Sequence, residues 1–173
     1  RTIEFKVTDV SGAESTAATE TVTMAAMNDT PTITLTDGTP AFTEKMGADD
    51  GSNAVVINNS IQITDFDGTA PKSATVTITN TKAGDTLLFT DTAKIAGAVT
   101  TVGGNKVLTL TIVAGQTPTE AEFEAALNTV KFNNTSDTPD ATTRTIEFKV
   151  TDVTDAVSTA AAAESVTVAA TND

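Results

Sequence analysis

The sequence predicts an all-β fold, a β-sandwich of short antiparallel strands with one short helix. Apolar and polar residues alternate with period two through threonine- and valine-rich stretches, and this alternation indicates strands with one buried face. Glycine, aspartate, asparagine and proline separate the stretches, and these residues favour turns. Only one segment has helical spacing instead. Short strands separated by turn signals are typical of a sandwich.

Each predicted strand places its apolar side chains on one face. In Thr2–Asp9, the apolar face is formed by Ile3, Phe5 and Val7. Threonine suits the solvent face because its branched Cβ favours extended backbone. The other predicted strands, in chain order, are Glu20–Ala26, Thr32–Thr36, Asn59–Ile63, Ser73–Thr79, Thr86–Phe89, Lys106–Val113, Thr129–Phe132, a second copy of the first strand with Ile146, Phe148 and Val150 on its apolar face, and Glu164–Ala170.

The segment with helical spacing predicts one short helix over Pro118–Asn128. Thr117 has the side chain of an N-cap, proline follows at the first helical position, and Glu120 lies three residues after the cap. This arrangement is a capping box. Phe123 and Leu127 then fall four residues apart on one face. We expect these two side chains to hold the helix over an open end of the sandwich.

The decamer RTIEFKVTDV occurs twice, at Arg1–Val10 and at Arg144–Val153. The offset is 143 residues (144 − 1 = 143), and the likeness continues beyond the decamer. Ser11–Asp29 aligns with Thr154–Asp173 after one single-residue gap, and both copies end in Asn-Asp. The repeat predicts a tandem array with a period near 143 residues. Because a solenoid unit is far shorter, each copy should be a whole domain with its own core.

The domain boundary is predicted at Asn28-Asp29-Thr30-Pro31, since proline stiffens a linker. Residues 30–173 then form one full repeat, and residues 1–29 are the C-terminal strands of the preceding repeat. An isolated hairpin is marginally stable in water. Residues 1–29 therefore pack on another surface, are poorly ordered, or occupy the equivalent position in another molecule by strand exchange.

Composition excludes several classes of function. Ten basic and 23 acidic residues give a formal charge of −13, and the chain has no His, Cys, Trp or Tyr. The usual zinc ligands and the Ser-His-Asp and Cys-His nucleophile systems are therefore missing. Nucleic acid and anionic membrane are disfavoured as partners because both need a cationic face. No apolar run has the length of a membrane span. The acidic balance favours hard cations, above all Ca²⁺.

Carboxylate and amide side chains gather at predicted turns, where they are candidate Ca²⁺ ligands. Calcium binds six to eight oxygens from carboxylates, carbonyls and water. Aspartates in turns also commonly cap backbone donors without binding a ligand, and that interpretation stays open for each residue. The pattern is not an EF-hand, because Val76 stands where the bidentate glutamate is required. The candidate ligands are Asn28, Asp29, Glu44, Asp65, Asp67, Asp137, Asp152, Asn172 and Asp173.

The chain resembles the bacterial cadherin-like repeats of giant, type I-secreted (RTX) surface adhesins of the biofilm-associated type. The resemblance covers the whole chain. It is carried by PTITLTDGTPAFTE (Pro31–Glu44), by IQITDFDGTAPKSATVTITN (Ile61–Asn80), by VKFNNTSDTPDATTRTIEFKVTDV (Val130–Val153) and by the closing TND. It implies a Greek-key, cadherin/immunoglobulin-like sandwich whose inter-repeat junctions are stiffened by calcium.

The resemblance also implies which residues serve each junction. Cadherin junctions combine an early glutamate, a later acidic motif, the linker Asn-Asp and an Asp-x-Asp from the next domain. By this match, Glu44, Asp137 and the pair Asn172-Asp173 serve the junction at the end of the full repeat. The junction at its start is formed by Asn28 and Asp29 of the linker together with Asp65 and Asp67.

Repetition itself indicates the function, because length, reach and stiffness increase with copy number whereas catalysis gains nothing from tandem copies. We expect a non-enzymatic extender repeat of a long adhesin at the cell surface, in contact with neighbouring identical repeats. One alternative is a subunit of a self-assembling extracellular fibre or sheath built by strand exchange. A second is a carbohydrate-binding module, which the lack of Trp and Tyr disfavours.

Overall fold

The structure, a computed structural model, describes residues 1–36, 38–46, 51–158 and 162–172. The described chain is mostly β with one short helix, as the sequence predicts. The strands are β1 (Thr2–Phe5), β2 (Ala18–Thr21), β3 (Thr32–Thr34), β4 (Ala41–Thr43), β5 (Val55–Val56), β6 (Gln62–Thr64), β7 (Ser73–Ile78), β8 (Asp85–Leu88), β9 (Ile95–Val102), β10 (Asn105–Ile112), β11 (Lys131–Asn134), β12 (Arg144–Thr151) and β13 (Ala162–Ala169), with helix α1 (Glu120–Leu127) between β10 and β11.

The strands form several sheets, of which the largest has six strands in the order β4-β13-β12-β7-β10-β9. This sheet is mixed, because β13 pairs with β4 in parallel and all its other pairs are antiparallel. A three-stranded sheet has the order β5-β11-β8, and β3 pairs with β6. The strands β1 and β2 pair with each other in a separate two-stranded sheet.

One hydrophobic core joins the six-stranded sheet, the smaller sheets of residues 30–172 and the helix. Phe42 of β4 and Phe132 of β11 meet edge to face there, with ring centroids 5.3 Å apart and planes at 87°. Both rings have no exposed surface. Aromatic pairs in this arrangement stabilise a core beyond their buried area. The contact ties the six-stranded sheet to the three-stranded one.

The pattern of alternation missed the strands β4, β5 and β9. The first two span only three and two residues, too few to show a period. The third, IAGAVTTV, contains Ala and Gly where large apolar residues would mark a face. Gly97 is required there by packing, because an added Cβ would lie 2.5 Å from Cδ1 of Phe89. Two predicted strands also shift along the chain, to β2 and to β6.

The predicted helix exists, but its N-cap lies two residues later than expected. Thr119, not Thr117, accepts a hydrogen bond from the Glu122 N–H, and the Glu122 carboxylate accepts one from the Thr119 N–H. The sequence Thr-x-x-Glu occurs in both registers. The second register leaves Pro118 buried just before the cap with Phe123 buried five residues on, the positions of a hydrophobic staple. The capping chemistry was therefore predicted correctly and its register was wrong.

Helix α1 covers the free edge of β6. The Ile63 N–H donates to Oε1 of Glu124 at 2.7 Å, and the Ile61 N–H donates to Oδ1 of Asn128 at 2.8 Å. These side chains replace a neighbouring strand and satisfy edge donors that would otherwise pair with another chain. No helix in the described ranges has the length and apolar character to cross a membrane.

A fully buried ion pair fixes the start of β12 in the body of the domain. Nε of Arg144 donates to Oδ2 of Asp85 at 2.6 Å, and neither side chain has exposed surface. The Asn134 amide donates to the other Asp85 oxygen at 2.7 Å. The guanidinium also donates to the carbonyls of Thr142 and Asp140. Each nitrogen of the guanidinium and each carboxylate oxygen of Asp85 thus has a hydrogen-bond partner, which a buried charge requires.

The hairpin β1–β2 repeats the geometry of the hairpin β12–β13. Ile3 faces Glu20 just as Ile146 faces Glu164, and the bridge between Thr8 and Glu14 recurs between Thr151 and Val157. The surroundings differ. Phe5 is 58% exposed, whereas its copy Phe148 is fully buried against the core. The two copies therefore share local structure, and only the second has a core to cover its apolar face.

Candidate functional site

The structure sorts the predicted ligands into two groups at opposite ends of residues 30–172. The first group, here the linker end, holds Asn28, Asp29, Asp65, Asp67 and Asp152, beside the ends of β6 and β12. The second group, here the exit end, holds Glu44, Asp137 and Asn172, beside the ends of β4, β11 and β13. The strand β12 runs from the exit end, where Arg144 meets Asp85, to the linker end.

At the linker end, Asp65 and Asp67 form a tight turn. Oδ1 of Asp65 accepts the Asp67 N–H at 3.0 Å, and its Oδ2 accepts the Thr69 hydroxyl at 3.2 Å. Asp65 is buried. Oδ2 of Asp67 accepts the backbone N–H of Asp29 at 2.6 Å. Of the predicted grouping, the structure thus joins Asp29 to Asp67 through a backbone hydrogen bond.

Asp152 lies in a second turn at the linker end and holds the other linker residue. Its Oδ1 accepts three hydrogen bonds, from the Thr154 N–H and hydroxyl and from the Ala156 N–H. Its Oδ2 accepts the side-chain amide of Asn28 at 2.7 Å. This amide, followed by the turn donors, holds the pKa of Asp152 below its usual value. The sequence names Asp152 as a candidate ligand without assigning it to a junction. In the structure, Asp152 contacts the linker through Asn28.

Glu120 is an acidic residue of this end that the sequence reasoning missed. Its carboxylate lies near the backbone N–H of Asp65. Desolvation, then the nearby charges of Glu124 and Asp65, raises the pKa of Glu120. The sequence pattern assigns Glu120 only to the capping box of the helix. The signal that could have found it is the expected packing of the helix over an end of the sandwich.

At the exit end, Glu44 is buried and holds the chain after β13. Its Oε2 accepts the Thr171 N–H at 2.7 Å, and its carbonyl accepts the Thr171 hydroxyl at 2.8 Å. Its other carboxylate oxygen, Oε1, is buried and has no hydrogen-bond partner among the described residues. A buried polar atom without a partner is costly. This oxygen is therefore the strongest sign in the described chain of a ligand-binding role.

The other predicted exit-end ligands are not joined to Glu44 by hydrogen bonds. Asp137 and Asn172 are both exposed. Asp173 lies outside the described residues. Within the described ranges, no three or more His, Cys, Asp or Glu side chains come together as a group that could hold a metal ion.

A groove of about 860 Å³ opens elsewhere, between α1 and the end of β8. Leu88, Phe89 and Ala125 supply apolar lining, and the ion pair of Lys94 with Glu122 lies at its polar side. Among the described residues that line the groove, Phe89 is the single aromatic one. None of the predicted ligands that the structure describes lines it.

Comparisons of this chain with protein-family models, with curated proteins and with solved structures found no match.

Proposed function

We propose that this protein is a non-enzymatic extender repeat of a long extracellular adhesin. The observation that carries the proposal is the attachment of the linker. Asn28 and Asp29 bind Asp152 and Asp67 of the domain that follows them. The same Asn-Asp pair recurs in the sequence as residues 172 and 173, and Asn172 lies at the exit end. Each copy therefore has both the linker Asn-Asp and the carboxylates that bind such a linker.

The proposed fold is a Greek-key, cadherin/immunoglobulin-like sandwich. Support comes from the single core shared by the six-stranded sheet and the smaller sheets, and from the entry and exit of the chain at opposite ends. Domains with this arrangement can be strung end to end. Residues 1–29 are, in this proposal, the last strands of a preceding copy whose body would cover Ile3, Phe5 and Val7.

Calcium is the proposed stiffening ion at both ends. At the linker end, Asn28, Asp29, Asp65, Asp67 and Asp152 would supply oxygens. At the exit end, the set would be Glu44, Asp137, Asn172 and Asp173. A bound cation supplies positive charge that offsets the repulsion between these carboxylates. Oε1 of Glu44, which has no hydrogen-bond partner among the described residues, fits such a ligand set.

The proposed location is the cell surface, with adhesion or biofilm formation as the role of the whole protein. The formal charge of −13 supports cations as partners, and disfavours nucleic acid and anionic membrane. The mechanical role needs no catalytic group. The carboxylates of one copy and the linker of its neighbour would together set the stiffness of the junction.

Thermal unfolding of the 173-residue chain, in excess calcium and then in chelator, tests the proposal. A ligand that binds only the folded state raises the melting temperature, so we expect calcium to do so without a change in molecular mass. The double variant Asp65→Ala, Asp67→Ala should weaken this response. A matched control replaces the exposed Glu14 and Glu20 by alanine and should keep it. An unchanged response in the first variant would contradict the assignment of the ligands.

A self-assembling fibre is the second candidate, favoured by the exposed face of the hairpin β1–β2. By exchange, the hairpin of one molecule would replace β12–β13 in another. Each chain has two such hairpins and one described body, so exchange alone leaves one hairpin exposed per molecule. The extender is therefore preferred. Growth into larger species during the same measurement, seen by light scattering, would reverse this order.

A further inference from the structure

The turns at Asp9 and Asp152 are copies of each other with one difference. In both, Oδ1 accepts the N–H and hydroxyl of the residue two positions on and the N–H four positions on. A left-handed residue follows in each turn, Gly12 in one and Asp155 in the other. Oδ2 of Asp152 accepts the Asn28 amide. Asp9 is exposed, and no donor among the described residues bonds to its Oδ2.

We infer that the turn at Asp152, like its copy at Asp9, is a docking site for the linker asparagine of the preceding copy of the repeat. This contact orients successive repeats without a metal ion. The inference deepens the proposed function and rests on it. The three donors on Oδ1 fix the carboxylate, so Oδ2 points to one place. The backbone N–H of Asp29 bonds to Asp67, so the linker is held at two points. We call this pair of contacts the clasp.

The clasp is a direct contact between protein atoms. The amide of Asn28 donates at 2.7 Å to a carboxylate with no exposed surface. A charged acceptor roughly doubles the strength of a hydrogen bond, and a buried one is shielded from competing water. The same geometry assigns Oδ2 of Asp9 to the asparagine of a linker that would precede this copy in a tandem array.

Spin-label distances test the clasp. The chain has no cysteine, so Thr19→Cys and Thr100→Cys place one nitroxide on the exposed face of the hairpin region and one on the exposed edge of β9. In chelator, the parent chain should give a narrow distance distribution. Asn28→Ala and Asp152→Asn should each broaden it, because the first removes the donor and the second sets two amides against each other.

Two matched variants make the result specific. Asp9→Asn makes the same change in the same turn without the Asn28 contact, and should leave the distribution narrow. The exchanged pair Asn28→Asp, Asp152→Asn restores a hydrogen bond with donor and acceptor reversed, and should narrow the distribution again. Asn28→Ala changes only the linker, so it remains informative if a variant at residue 152 fails to fold.

The outcomes separate the clasp from the calcium proposal. A narrow distribution for Asn28→Ala in chelator, or an exchanged pair as broad as the single changes, would overturn the clasp. If calcium then still narrows the parent distribution, the extender proposal stands alone. If the clasp variants respond in chelator but calcium changes nothing in any of them, the clasp stands and the stiffening role of calcium fails.

Discussion

At the residue scale, identical side chains act differently in the two copies of the decamer. Arg1 is exposed, whereas Arg144 is wholly buried on Asp85. Because the two decamers are identical in sequence, the difference in burial follows from whether a domain core covers each copy. The partner Asp85 lies 59 residues away in sequence. No local pattern could have predicted this pair, although the turn at Asp152 follows from its own neighbours.

Arg144→Ala should destabilise the domain by about 3–5 kcal/mol, because it leaves the Asp85 charge buried without its partner. Arg1→Ala, the same change in the exposed copy, should alter the free energy of unfolding by about 0.5 kcal/mol or less. Urea denaturation of both variants measures the difference. Equal effects of the two changes would show that the buried pair does not hold the hairpin.

The pH response of Asp152 follows from the linker contact. Its pKa is lowered in the fold, first by the Asn28 amide. A carboxyl with a lowered folded pKa contributes stability that is complete above its unfolded pKa, near 3.9, and that is lost as pH falls through the folded value. Carboxyl NMR titration should place Asp152 below an ordinary aspartate. Asn28→Ala should raise that pKa and leave the titration of Asp9 unchanged.

At the element scale, the helix shows which part of a motif the sequence can decide. Residue types predicted a capping box, and one formed. Two overlapping registers satisfied the same rule, and the choice between them depended on burying Pro118, a tertiary effect. The edge strand β9 was missed for a related reason. Its Gly97 is set by contact with Phe89, which lies on another segment.

Thr119→Ala should cost about 1 kcal/mol of stability, the usual loss for an N-cap hydroxyl. Thr117→Ala is the control, because Thr117 is the cap that the sequence predicted and is exposed in the structure. Thermal melts followed by circular dichroism would rank the two variants. A larger loss at residue 117 would return the cap to the predicted register.

At the scale of the whole molecule, the sequence predicted the β class that the structure has, and the repeat is visible in the sequence itself. It could not predict that Asn28 binds Asp152, since that contact joins residues 124 positions apart. Nor could it predict the mixed six-stranded sheet, because neither strand has a sequence pattern that indicates the parallel pairing of β4 with β13.

A shortened chain, residues 30–173, should fold with nearly the melting temperature of the longer one. Among the described strands, β1 and β2 pair only with each other, and their apolar face is exposed. Removal of this hairpin therefore takes little from the core. Calorimetry of both chains compares them directly. A large drop in melting temperature would place residues 1–29 within the domain and move the boundary predicted at Asn28-Asp29.

The entry and exit of the chain at opposite ends determine how the domain responds to mechanical load. Tension through the linker and through residue 172 pulls β13 along its own axis. Its hydrogen bonds to β12 and β4 lie across that axis, so they are loaded together in shear instead of opening singly like a zipper. Unfolding under force is governed by the unfolding rate. A string of such domains would behave as a cable that holds its length until one β13 slides free.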